Sequence, residues 1–206
     1  TSSRIIHMGE TQSVRSSKTS AWLVIAIALG AVAIDQAIKY GVVTHFRIGE
    51  SLPVTSWFWL CYVENNGMAF GIEWFSKLAL TLFRLGAIAL LGWYIHLLIY
   101  KYNARKGYIA TIAFIIAGAL GNVIDCVFYG KLFQGTGWFY GRVIDMFYFP
   151  LIHNSEGEVI FFRPVFNFAD SCITCAVFVI LLFYLKDLNN TLSDNDKGAT
   201  EKNNSK

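Results

Sequence analysis

Four apolar stretches, each long enough to cross a lipid bilayer, constrain this chain more than any other feature. A membrane helix needs roughly 20 predominantly apolar residues. The stretches at about 22–43, 78–100, 108–129 and 165–185 reach that length. Within hydrocarbon every backbone N–H and C=O must be satisfied inside the segment, so each stretch is expected to be a helix. Only 15% of residues are charged and 55% are hydrophobic, against roughly 25% charged in soluble domains. The expected fold is an all-α membrane protein of four transmembrane helices, with a small β-rich region between them. A net charge of +3 does not suggest a nucleic-acid partner.

Residues 1–20 and 187–206 are polar and are expected to be disordered tails around one four-span domain at 21–186. The first of these tails lacks the short apolar run, ending in small residues, of a cleavable signal peptide. The loop at 101–107 carries Lys101, Arg105 and Lys106 and no acid. The positive-inside rule puts it, and therefore both termini, in the cytoplasm. The longer loops at 44–77 and 130–164 then lie outside the cell membrane.

This orientation aligns the polar residues of the spans. Asp35 and Lys39 fall near the outer end of the first span, Arg84 in the outer third of the second, Asn122 and Asp125 near the outer end of the third, and Asn167 and Asp170 at the start of the fourth. With about 1.5 Å of rise per residue, all reach a similar depth. Charged groups in a membrane helix are costly and pair with one another or line a site. A structural reading remains beside the functional one, because polar contacts also hold bundles together.

The outer loops supply further candidates. Residues 57–63 are β-prone and apolar on both faces, and Asn66-Gly67 is a turn signal. Such a strand either lies in the headgroup region, where Trp and Tyr concentrate, or packs on the bundle. Asp145 stands between apolar neighbours in Gly141-Arg142-Val143-Ile144-Asp145-Met146, which a solvated loop acid would not have. Glu64, Glu156 and Glu158 read as solvated, and 159–162 as a further strand.

Several chemistries lack their residues. The four histidines are scattered, no His-Glu-x-x-His or cysteine–histidine zinc spacing occurs, and no Gly-x-Ser-x-Gly elbow is present. A pair of carboxylates is the best-supplied chemistry: sharing one proton, it can activate water and protonate a leaving amine. Asp145 on a loop and Asp170 at a helix start would admit a substrate between them, with Asp35 and Asp125 in support. Two other classes remain open: a small proton-coupled transporter using the intramembrane acids, and a thiol–disulfide enzyme using Cys172 and Cys175, which otherwise read as two small residues on one helix face.

The chain resembles the lipoprotein signal peptidases (type II signal peptidases) of bacteria. The resemblance is carried by Asp35-Gln36-Ala37-Ile38-Lys39, by Asn65-Asn66-Gly67-Met68-Ala69-Phe70-Gly71, by Gly118-Ala119-Leu120-Gly121-Asn122-Val123-Ile124-Asp125, by Gly141-Arg142-Val143-Ile144-Asp145 and by Phe166-Asn167-Phe168-Ala169-Asp170-Ser171, in order over about residues 20–186. It implies an aspartic endopeptidase of the bacterial inner membrane that needs no metal or other cofactor. Such an enzyme removes the signal peptide from diacylglyceryl-modified prolipoproteins, cutting just before the lipidated cysteine, and is the target of globomycin. It further implies that Asp145 and Asp170 are the catalytic dyad near the outer leaflet, and that Asp35, Lys39, Asn65, Gly67, Asn122, Asp125 and Asn167 shape the site or contact substrate. Its partners would be prolipoprotein and membrane lipid, and the chain is expected to act as a monomer. Two departures stand out. The family usually has Arg directly after the third-span acid, where this chain has Cys126, and the segment up to Asp145 is longer, with 131–138 inserted. Arg142, or Lys131 from the insertion, is expected to supply the missing cation.

Overall fold

The computed structural model describes residues 2–66, 77–153, 159–161 and 164–193, with side chains from Lys18 onward except at His153, Ile160 and Phe161. Its helices are α1 (Ser2–His45), α2 (Lys77–Tyr100), α3 (Lys106–Ile124), the short α4 (Gly130–Leu132) and α5 (Phe168–Val179). Its strands are β1 (Ser51–Pro53), β2 (Trp59–Asn65), β3 (Val143–Tyr148), β4 (Ile152–His153) and β5 (Val159–Phe161). One π-helical turn, Asp125–Tyr129, continues α3, and another, Ile180–Tyr184, continues α5. Four segments are long and apolar enough to cross a membrane: Lys18–His45, Lys77–Tyr100, Lys106–Leu132 and Phe168–Ser193.

The spans match the sequence expectation in number and order but differ at three ends. α1 reaches back to Ser2. The fourth span starts at Phe168 rather than 165 and runs to Ser193, beyond the expected start of a polar tail at 187. Its start is delayed because the backbone of Phe166 bonds to β3, with Phe147 N–H donating to Phe166 O at 2.7 Å and Phe166 N–H donating back to Phe147 O at 3.0 Å. Its end is extended because polar residues there find partners: Asp187 is ion-paired with Arg105, and Thr191 shares a 2.7 Å hydrogen bond with the Tyr94 hydroxyl.

α3 is the most enclosed of the four spans and packs against α1, α2 and α5. Two glycines one turn apart on α3 permit this. A Cβ on Gly118 would collide with the Ala169 carbonyl and lie 2.7 Å from Ile173 Cγ1, and a Cβ on Gly121 would lie 2.5 Å from Asp35 Oδ2. Small residues at a helix contact let backbones approach in a membrane, where no hydrophobic effect pulls helices together. One apolar core, with Leu98, Tyr108, Ile109, Ile112 and Ile180, fills the end of the bundle away from Asp35 and Asp125.

A second core joins the bundle to the sheet, where Val42 and Tyr129 meet Tyr62, Ile144 and Met146. The sheet is antiparallel in the order β1-β2-β3. β1 is an edge strand, the place where Pro53 costs no ladder hydrogen bond. β2 carries a bulge: Leu60 faces Phe147 and Val63 faces Asp145, so three steps on β2 match two on β3. The extra residue lets neighbouring Cys61 and Tyr62 both be buried, which accounts for a strand that reads as apolar on both faces. Of the two placements left open for this strand, its Tyr62 face packs on the bundle, while Leu52 and Trp57 nearby are exposed.

The inserted segment folds back on its origin. Gly141 N–H donates to Cys126 O at 2.9 Å, Phe139 N–H to Val127 O at 3.1 Å, and the Phe128 and Trp138 rings meet edge to face. The excursion closes on itself, and β3 leaves from beside the turn that carries Asp125.

Candidate active site

The buried ammonium of this site is paired with carboxylates, as burying a charge requires. Lys39, one turn after Asp35 on α1, is fully enclosed. Its ammonium group reaches Asp125 Oδ2 at 2.6 Å, Asp35 Oδ2 at 3.0 Å and Asn122 Oδ1 at 3.0 Å. An ammonium has three N–H donors, and all three are used. The two carboxylates then bond to backbone from other elements: Ala169 N–H donates to Asp35 Oδ1 at 3.0 Å, and Ile144 N–H to Asp125 Oδ2 at 3.1 Å. Lys39 and its two acids thereby tie α1 and α3 to the start of α5 and to β3.

Asn167 joins this platform to the two remaining acids. It has extended backbone and caps α5, its Oδ1 accepting from Asp170 N–H at 2.9 Å. Its Nδ2 donates to Asp145 Oδ1 at 2.6 Å and to Asn122 Oδ1 at 3.1 Å. Asp145 Oδ2 accepts from Asn65 Nδ2 at 2.9 Å, and Asp170 Oδ1 accepts from Asn122 Nδ2 at 2.8 Å. No described residue donates to Asp170 Oδ2, and Asp170 is only half-buried whereas Asp145 is 1% exposed. The carboxyl of Asp145 is pushed up to about 6: burial contributes most, neighbouring Asp170 adds to it, and the amides of Asn65 and Asn167 oppose it.

The backbone explains why Asp145 and Asp170 meet. The hydrogen bonds between Phe147 and Phe166 fasten β3 to the entry of α5, so the residues just before Phe147 and just after Phe166 face each other. One acid arrives on a strand and the other in the first turn of a helix, each held by amide donors rather than by a cation.

The site therefore gathers Asp35, Lys39, Asn65, Asn122, Asp125, Asp145, Asn167 and Asp170. Gly67 lies outside the described residues. Arg142 stands apart: it is 45% exposed and donates to Glu64 Oε2 at 3.1 Å. Glu64, expected to be solvated, is instead only 5% exposed at its side chain and also accepts from the Tyr62 hydroxyl. Its place on β2 turns it toward both partners, which a reading of the loop alone does not show. Arg142 is occupied by Glu64, Lys131 is exposed, and the side chain that reaches Cys126 is Arg84 of α2, donating to Sγ at 2.9 Å.

Two further residues were legible only in part. Gln36 donates from Nε2 to Asp35 Oδ2, Gly121 O and Asp125 Oδ1 at 3.0–3.1 Å; its signal was an amide in an apolar span. Asn167 reads from spacing as one turn before Asp170 within a helix, and the structure makes it the cap. Cys172 and Cys175 are both free thiols, the first buried and the second exposed.

The family model described as Signal peptidase (SPase) II matches residues 27–186. The lipoprotein signal peptidase of Porphyromonas gingivalis is 40% identical over 186 residues, covering 79% of this chain and 82% of that protein. The lipoprotein signal peptidase of Amoebophilus asiaticus is 36% identical over 181 residues, covering 78% of this chain and 77% of that protein. Two solved bacterial membrane enzyme structures, at 2.3 and 1.9 Å resolution, superpose with TM-scores of 0.58 and 0.59 at 29% and 28% identity. They cover 81% and 80% of this chain, and it covers 90% and 93% of theirs.

Proposed function

Because this chain belongs to the signal peptidase II family, we propose that it is an aspartic endopeptidase that removes the signal peptide of diacylglyceryl-modified prolipoproteins just before the lipidated cysteine. The observation that carries the mechanism is the meeting of Asp145 and Asp170 through Asn167, which bonds the carboxylate of one and the backbone N–H of the other.

Like charges near one another do not both ionise readily, and the Asp170 charge adds to the rise of Asp145. In the proposed step, the ionised carboxylate takes a proton from water as the water oxygen attacks the scissile carbonyl carbon. The other carboxyl, protonated, gives its proton to the carbonyl oxygen. The gem-diol intermediate then collapses: the leaving nitrogen takes the proton held by the first carboxyl as the C–N bond breaks, and one hydroxyl of the gem-diol returns its proton to the second carboxyl as its C=O re-forms. Asp170 Oδ2 is the carboxyl oxygen without a described donor, so it is the position open to water or a proton. Lys39 has no part in the proton transfer, since all its donors are engaged; its role is to hold Asp35, Asn122 and Asp125 in place.

The cytoplasmic placement of both termini rests on the charges of the 101–107 loop. It sets the dyad toward the outer leaflet, where a substrate anchored by its diacylglyceryl group presents the bond to be cut. The β1-β2-β3 sheet then lies at that interface, with exposed Trp57 and Leu52 against lipid headgroups. We propose a monomer as the working unit and globomycin as an inhibitor.

A purified-protein assay on a diacylglyceryl prolipoprotein tests this reading. Wild type is expected to release the signal peptide and to be blocked by globomycin, while Asp145→Asn and Asp170→Asn are expected to be folded and inactive. Substantial turnover by either variant would remove the dyad from the mechanism.

A further inference from the structure

Beyond its first residue, α2 carries one Arg or Lys, Arg84. It lies seven residues after Lys77, roughly 10 Å along the helix axis, in a segment long and apolar enough to span a membrane. A guanidinium keeps its charge and presents five N–H donors in a rigid fork. At such a depth a charge needs partners or a task.

The described partners of Arg84 fall well short of that fork. It donates from Nη1 to Cys126 Sγ at 2.9 Å, and a thiol is a weak acceptor. The described acids that form ion pairs are taken by other cations: Asp35 and Asp125 by Lys39, Glu64 by Arg142, Asp187 by Arg105. Among the described residues, no carboxylate lies within ion-pair distance of Arg84.

Its position is equally specific. Cys126 directly follows Asp125, in the π-helical turn that continues α3. Cys126 O accepts from Gly141 N–H, and Asp125 Oδ2 accepts from Ile144 N–H, next to Asp145. Arg84 therefore touches the turn from which the Asp145 strand is hung.

A peptide bond open to attack by water must be in an extended segment. In a low-dielectric setting such a segment has carbonyl oxygens with no partner in their own chain, each costing several kcal/mol. Among the described residues Arg84 has donors without acceptors, and the extended substrate has acceptors without donors. We propose that Arg84 is a substrate-binding residue, its guanidinium taking backbone carbonyl oxygens of the prolipoprotein segment that flanks the scissile bond. This rests on the peptidase reading above. It also gives Cys126 a role: a small, weakly accepting side chain that leaves the fork of Arg84 available.

The test uses the full chain in lipid nanodiscs and a diacylglyceryl prolipoprotein substrate. Arg84→Ala is expected to raise KM by roughly tenfold or more with a much smaller change in kcat, as loss of ground-state and transition-state binding alike requires. Arg84→Lys, which keeps the charge and loses the fork, is expected to fall between, and it carries the test if Arg84→Ala does not fold. The double variant Arg84→Ala/Cys126→Arg, which returns a guanidinium from the opposite helix, is expected to bring KM back toward wild type. Wild-type KM in both single variants overturns the proposal and leaves the peptidase reading standing. A lowered melting temperature with unchanged KM overturns it as well, assigning Arg84 to bundle or lipid contacts. A wild-type protein that cleaves no prolipoprotein overturns the peptidase reading, and this proposal falls with it.

Discussion

Asn167 donates a 2.6 Å hydrogen bond to Asp145, joining the residue that caps α5 to the acid on β3. The same side chain holds the backbone N–H of Asp170 at 2.9 Å, so one amide sets the spacing of both acids. The two tasks separate by mutation. Asn167→Ser keeps a capping oxygen but does not reach Asp145, whereas Asn167→Ala loses both. Both variants are expected to lose most activity. Asn167→Ala is expected to be the less stable by about 1 kcal/mol, the worth of a helix cap. Melting temperatures and cleavage rates measured side by side check this; equal stability would deny the cap its contribution.

The raised carboxyl of Asp145 has a defined pH signature. Its titration near 6 lies above that of an unfolded aspartate, roughly 3.9. A raised acid favours the fold while protonated, so its contribution is full below about pH 4 and is lost as pH rises through about 6. Asp145→Asn removes that loss. Its stability relative to wild type is therefore expected to climb between pH 4 and 6.5, by roughly 2–3 kcal/mol at most. Asp170→Asn, by removing a neighbouring charge, is expected to lower the Asp145 midpoint. Melts across pH, and carboxyl NMR titration of selectively labelled protein, test the two halves. A pH-independent difference would show that ionising Asp145 costs the fold nothing.

Lys39 is buried with Asp35 and Asp125, and neither acid has solvent to fall back on. Removing one partner of such a pair leaves an uncompensated charge, at about 3–5 kcal/mol. Lys39→Met is expected to lose stability on that scale, and the triple variant Lys39→Met/Asp35→Asn/Asp125→Asn to recover part of it. If the triple variant is no better than the single one, the penalty comes from packing and not from stranded charge.

The close approach of α3 to α5 predicts a sharp contrast among glycines. Gly118→Ala drives a methyl group into the Ala169 carbonyl, one residue before Asp170, where no side-chain rotation relieves it. It is expected to shift α5 and lose activity as well as stability. Gly92→Ala, with no atom within 4 Å of the added methyl, is expected to match wild type in both. Activity retained in Gly118→Ala would mean that the α3–α5 spacing tolerates more than the packing allows.

Much of this was readable from residues in order. The bilayer imposes a length, so four spans appear as four apolar runs, and the costly exceptions within them (Asp35, Lys39, Asn122, Asp125, Asp170) stand out one by one. Asp145 stood out as an acid with apolar neighbours on a strand that is now seen to be buried. These are local signals, because burial in lipid acts on each residue through its own side chain. What only the tertiary structure decided is who meets whom. Glu64 turned inward to Arg142, Arg84 and not Arg142 reached Cys126, and Asn167 left the helix to cap it, because each outcome depends on the register of two elements distant in the chain. The same holds for the pairing of Asp145 with Asp170. Hydropathy placed Asp170 at the start of the fourth span and left Asp145 on the loop before it, but a few backbone hydrogen bonds between Phe147 and Phe166 brought them together, and no single segment carries that information.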